Sequence, residues 1–282
     1  MYFDDTNPSL TLINNTPSED FCGMTPSEIH HLLYDGWTDR SPLRLQSPIS
    51  NQTLDLIPYF RIIEEFVRII KREQPVRLTA LGFLPGKIIR ELYDLRFIPD
   101  WYIDVRRAKV LRENDSAVIT SAHSMAKASG LVKNIKNKLY LTKKGEQLLH
   151  SDARNHLFQE VLMAFTQKWA WGNLDGYAEA FEIQRLWGFS IHLLFQFGHS
   201  EKKVSFYSQK FLVAFPLITE QFPQRSYSNP LDDFERCYSI RTFERFFDWW
   251  GLIKTEEKKR ALDWRNQPVS ASPLLQDVFS FE

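Results

Sequence analysis

The stretch AVITSAHSMAKASGLVKNIKNKLYLTKKGEQLL, Ala117 to Leu149, decides the fold. Ala117, Val118, Ala122, Met125 and Ala126 recur at the spacing of one helix face, and Ser116 or Asp115 can accept the free N–H groups at its start. Gly130 suits the residue that ends a helix, because it enters the left-handed region without a Cβ clash. Leu131-Val132-Lys133 and Leu139-Tyr140-Leu141 then read as short strands, and polar Asn134 to Lys138 reads as the turn of a hairpin. Thr142 can cap a further helix, with Glu146 placed to bond back.

Helix, Ser129-Gly130-Leu131-Val132, hairpin, then Leu141-Thr142-Lys143-Lys144-Gly145 is an order that resembles the winged-helix superfamily. The resemblance implies a mainly α fold with small β-hairpins. Residues 60–150 are also similar to a scattered group of bacterial proteins, through Leu78-Thr79-Ala80-Leu81-Gly82-Phe83-Leu84-Pro85 and the Leu141–Gly145 turn. That second resemblance implies no activity.

Charge is unevenly spread over the 282 residues. Residues 1–50 carry seven acids and two bases (net −5), 51–150 eleven and eighteen (+7), and 151–282 seventeen and fifteen (−2). From Ala117 to Gly145 there is no Asp or Glu, while Lys127, Lys133, Lys136, Lys138, Lys143 and Lys144 all occur. Arg106, Arg107, Lys109 and Arg112 lie just upstream on an expected basic helix, Val105 to Glu113. A duplex presents closely spaced phosphates, so these ten residues are the candidate nucleic-acid contacts, with DNA the expected partner. A solvated lysine hairpin that protects a sheet edge gives the same pattern. The polar face of 117–129 offers Thr120, Ser121, His123, Ser124 and Lys127 but no Arg, Asn or Gln, which favours phosphate binding over base readout.

Three segments are expected: an acidic arm and short helix over 1–50, a winged-helix-like domain over 51–150, and an aromatic helical domain over 151–282. Leu56–Lys71 is amphipathic, with Phe60, Ile63, Phe66 and Val67 inward and Arg61, Glu64, Glu65 and Arg68 outward. Val76-Arg77-Leu78 is a short strand and Leu84–Leu95 the next helix. Near the C-terminus, Trp250-Gly251-Leu252-Ile253-Lys254 echoes Ser129-Gly130-Leu131-Val132-Lys133, which predicts a second, degenerate winged helix. Its return strand is expected at Ala261–Trp264. Its apolar helix residues Phe243, Phe247, Trp249 and Trp250 are the candidate interface for a protein partner or a second copy.

Cys22 and Cys237 match no zinc or redox spacing, which with the absence of an apolar leader predicts a cytoplasmic protein. Leu186 to Phe197 is too short to span a bilayer, so no membrane role is expected. No nucleophile elbow, zincin motif, phosphate loop or Cys–His cluster is present, so no enzyme, cofactor, catalytic residue or metal is expected, with a metal-dependent activity built from dispersed Asp and Glu as the open alternative. Two functional classes remain: a nucleic-acid-binding regulatory or accessory protein, and a protein-interaction scaffold that binds no nucleic acid.

Overall fold

The computed structural model describes residues 8–99, 103–104, 112–173, 175–177, 180–255 and 264–282. In chain order the elements are α1 (Pro8–Asn14), α2 (Pro26–Tyr34), β1 (Leu43–Leu45), α3 (Asn51–Asp55), α4 (Pro58–Glu73), β2 (Val76–Arg77), α5 (Gly86–Asp94), α6 (Ala117–Ala128), β3 (Val132–Ile135) and β4 (Lys138–Leu141). They continue as α7 (Lys143–Leu148), α8 (Arg154–Gln167), α9 (Phe181–Arg185), α10 (Trp187–Phe197), β5 (Lys202–Lys203), α11 (Val204–Ala214) and α12 (Pro230–Tyr238). A π-helix (Ser239–Asp248), β6 (Ile253–Lys254), β7 (Pro268–Ala271), α13 (Pro273–Val278) and β8 (Phe279–Phe281) complete the order. The fold is mainly helical with small antiparallel sheets. No helix among the described residues is long and apolar enough to cross a membrane.

The chain forms two compact units. The central unit is Ser47–Ala170 with Trp249–Gly251, and the flanking unit is Met1–Gln46, Trp171–Asp248 and Leu252–Glu282. The division follows packing, not the three charge segments, because buried area holds a unit together and net charge does not.

In the central unit, Pro58 opens α4 at a position where its missing N–H costs nothing. The helix buries Tyr59, Phe60, Ile63, Phe66, Val67 and Ile70. Glu64, expected outward, is also buried, and Arg154 binds both of its carboxylate oxygens at 2.8 and 3.0 Å. That partner comes from α8, which the α4 sequence cannot reveal. The core is completed by Leu157, Phe158, Val161, Leu162 and Phe165 of α8, and by Trp250. Trp250 lies 5.2 Å from Phe165, 5.6 Å from Tyr59 and 6.0 Å from Phe158 between ring centroids. The central sheet has the order β2-β4-β3, so the first strand pairs with the last.

The flanking unit is built on a chain of rings: Phe189, Phe211, Phe215, Phe234, Tyr238, Phe243 and Tyr207 meet at centroid distances of 4.8–6.0 Å. Arg241 and Arg245 of the π-helix reach the buried carboxylate of Asp175, with Arg241 Nε 2.7 Å and Arg245 3.7 Å from its Oδ2. The sequence of elements in the central unit recurs here. Helix, strand, helix, further helix, two strands and a short helix are α10, β5, α11, α12 with the π-helix, β6, β7 and α13. The sheet order β5-β7-β6 again pairs the first strand with the last.

The echo extends to single hydrogen bonds. Gly130 and Gly251 have φ of +72° and +71°. Leu131 N–H donates to Ala126 O at 2.9 Å, and Leu252 N–H to Phe247 O at 2.8 Å. Thr142 N–H donates to Leu131 O at 3.0 Å, and Ser272 N–H to Leu252 O at 2.9 Å. The return strand of this copy is Pro268–Ala271, not the expected Ala261–Trp264, of which 261–263 lie outside the described residues. Val269 is the buried residue that fixes it, whereas Trp264–Asn266 is a 3-10 turn.

Candidate nucleic-acid interface

The hairpin is fastened to α6 by one threonine. Gly130 ends α6, and Thr142 Oγ1 donates to Gly130 O at 2.7 Å while accepting Gly145 N–H at 2.9 Å. A Cβ on Gly145 would stand 2.3 Å from Leu131 O, which explains the glycine of Leu141-Thr142-Lys143-Lys144-Gly145. Gly145 thus occupies the third helical position. Glu146 falls one residue too late for the expected capping box, and its backbone N–H bonds Thr142 O instead.

β3 and β4 turn through Lys136 and Asn137, both left-handed at φ +49° and +61°, the conformation a two-residue hairpin of native twist requires. Asn137 also holds the loop after β2: its Nδ2 donates to Thr79 O at 2.8 Å and Leu78 N–H donates to its O at 3.0 Å. Pairing then sorts the side chains by face. Val132, Leu139, Leu141 and Val76 turn inward and are buried. On the outer face Lys133 lies opposite Tyr140, while Lys138 lies opposite both Ile135 and Arg77. Arg77, Lys133, Lys136 and Lys138 are exposed, and none has an ion-pair partner among the described residues. Ile135 sits among them 46 % exposed.

The other candidates divide. Lys127 and Lys143 are exposed, as is Arg112, whose backbone N–H bonds Asp115 at 2.8 Å. Lys144 is held by Glu160 at 2.6 Å. Arg106, Arg107 and Lys109 lie outside the described residues, as does most of the expected basic helix. Its last expected residue, Glu113, is not helical in the α sense; it is buried and opens a 3-10 turn whose other two residues are exposed.

The polar face of α6 is not available as expected. Ser121 receives Tyr59 OH at 2.9 Å, Ser124 receives Trp169 Nε1–H at 2.9 Å, and Thr120 Oγ1 donates to Glu113 O at 2.7 Å. His123 is buried, with Nδ1 2.8 Å from Glu113 Oε1, and Glu113 also accepts the Leu84 N–H. Helical spacing separates two faces of a helix, but it does not say that both can be covered. The expected partner residues are likewise occupied by the chain itself. Phe243 and Phe247 are buried against each other at 5.0 Å, and Trp249 stacks on Tyr59 at 5.3 Å. With Trp250 in the core of the central unit, these four residues offer no open apolar patch.

Sequence reasoning missed two features. Arg77 joins the lysines only through the β2–β4 register; its alternation with buried Val76 and Leu78 gave its face but not its neighbour. The Glu113–His123 pair spans two elements and leaves no local pattern.

A family model described as the Y4jL N-terminal domain matches residues 55–154, the stretch from the end of α3 to the start of α8. No curated protein matches the chain. No solved structure matches it either.

Proposed function

We propose that the central unit is a winged-helix-like module that binds nucleic acid, DNA in the first instance, through the outer face of its sheet and the tip of its hairpin. The observation that carries this reading is the group Arg77, Lys138 and Lys133 on the outer face of the sheet with Lys136 at the turn, exposed and without acidic partners among the described residues. The order helix, strand, helix, helix, hairpin, with the first strand paired to the last, supports the winged-helix comparison. Because α6 is covered, base readout from that helix is not part of the proposal. Binding rests on phosphates, which makes it salt-dependent and weakly sequence-selective. Such a chain acts as an accessory or regulatory protein in the cytoplasm.

The covered α6 also favours a second reading, a structural winged-helix fold serving protein interaction alone. One experiment separates the two. Fluorescence anisotropy with a labelled random duplex over a salt series compares the wild type with Lys133, Lys136 and Lys138 all changed to Ala. The first reading requires binding that weakens steeply with salt and falls further in the variant. No binding at low salt leaves the second.

A further inference from the structure

We propose that a cavity in the flanking unit binds a small organic cation, an alkylammonium or guanidinium attached to an apolar body. The cavity is about 360 Å³ and its walls include Met24, Glu28, His192, Phe195, Phe281 and Glu282. That volume is within the range of small-molecule sites.

The chemistry of the wall selects the ligand. Its charged groups are the carboxylates of Glu28 and Glu282. Glu28 uses Oε2 to accept the Thr25 N–H at 2.7 Å, and Glu282 uses Oε2 to accept Arg44 Nε–H at 2.8 Å. Each keeps a second oxygen that has no partner among the described residues. His192 is buried, with Nε2 3.1 Å from Cys22 O. A carbonyl only accepts, so a proton is on Nε2, and Nδ1 is the acceptor of the neutral ring. Burial lowers the His192 pKa and so favours the neutral ring. Phe281 meets His192 edge-on at 5.4 Å and Phe195 at 5.3 Å, which fixes the aromatic side of the site.

Carboxylate oxygens, an imidazole lone pair and aromatic faces all attract positive charge. Gln196 contributes an exposed amide of either polarity. No Lys or Arg is among the lining residues, and with Glu282 paired to Arg44 an anion would meet repulsion chiefly from Glu28. The apolar body of the ligand packs on Met24 and the two phenylalanines. This proposal is independent of the sheet face in the central unit.

Saturation-transfer NMR on the full chain tests it with phenethylammonium and butylguanidinium as probes and phenethyl alcohol and phenylacetate as controls. The cations are expected to bind at least about tenfold more tightly than the alcohol, the gain of one charge-assisted hydrogen bond. Nα-acetyl-lysine amide distinguishes the source. Binding equal to the free amine assigns the site to a peptide side chain, and weaker binding assigns it to a free small molecule; both support the cation class. Glu28→Gln keeps an acceptor for the Thr25 N–H and removes the charge, so it should weaken cation binding about tenfold. Phe195→Leu is the second variant and should weaken it severalfold with the cap untouched. Absence of cation binding, equal binding of the alcohol, or unchanged affinity in both folded variants overturns the proposal.

Discussion

Lys138→Glu should make the protein more stable and a poorer nucleic-acid binder at once. Lys138 is exposed on β4, directly opposite Arg77 on β2. Like charges placed opposite each other on antiparallel strands are unfavourable, and opposite charges are favourable, each by roughly 0.2–1 kcal/mol. Reversing the charge therefore stabilises the folded state by about 1 kcal/mol, readable as a raised urea midpoint at constant slope. The binding arithmetic runs the other way. If Arg77, Lys133, Lys136 and Lys138 each neutralise one phosphate, the logarithmic salt slope is about −3.6, so a fourfold rise in salt weakens binding about 150-fold. Losing one contact brings the slope to about −2.7 and the same rise in salt to about 40-fold, while the new carboxylate lowers affinity at every salt concentration. Far-UV circular dichroism in urea and anisotropy on a labelled duplex measure the two effects on one preparation. A more stable variant with unchanged binding would refute the sheet face as an interface. A less stable variant would refute the facing of Lys138 and Arg77 from which the argument starts.

Gly145→Ala should cost about 2 kcal/mol or more, because its Cβ meets the backbone oxygen of Leu131 at 2.3 Å and the Leu141 side chain at 2.8 Å; urea denaturation measures it, and a wild-type midpoint would show that the turn has room. Asp175→Asn removes the carboxylate shared by buried Arg241 and Arg245 and should destabilise by about 3 kcal/mol, seen as a lowered thermal midpoint; a shift within error would mean that the guanidiniums are satisfied without it. Burial lowers the His192 pKa in the fold, so the unfolded chain takes up its proton first as pH falls below the ordinary 6.5. Its contribution is complete above that pH and is lost progressively on acidification, and His192→Gln should flatten the fall in stability over that window. An unchanged pH slope would place the acid sensitivity elsewhere.

The amphipathic order of α4, the helix–Gly–strand signal at Ala117–Val132 and its echo at Trp250–Ile253 are local, and the sequence alone carried them. Helix period, a left-handed glycine and a polar turn each act within a few residues, so they can be read along the chain, although the expected turn Asn134–Lys138 narrows to Lys136 and Asn137 once the strands pair. Three features were decided only by tertiary structure. Glu64 has the polarity of a surface residue, but Arg154 from a distant helix draws it inside. Ser121, His123 and Ser124 look like a free polar face, yet Tyr59, Glu113 and Trp169 occupy it. Arg77 becomes part of a cationic face only when β2 pairs with β4. In each case the partner lies on another element, and burial depends on which surfaces meet, a property of packing that no local periodicity encodes.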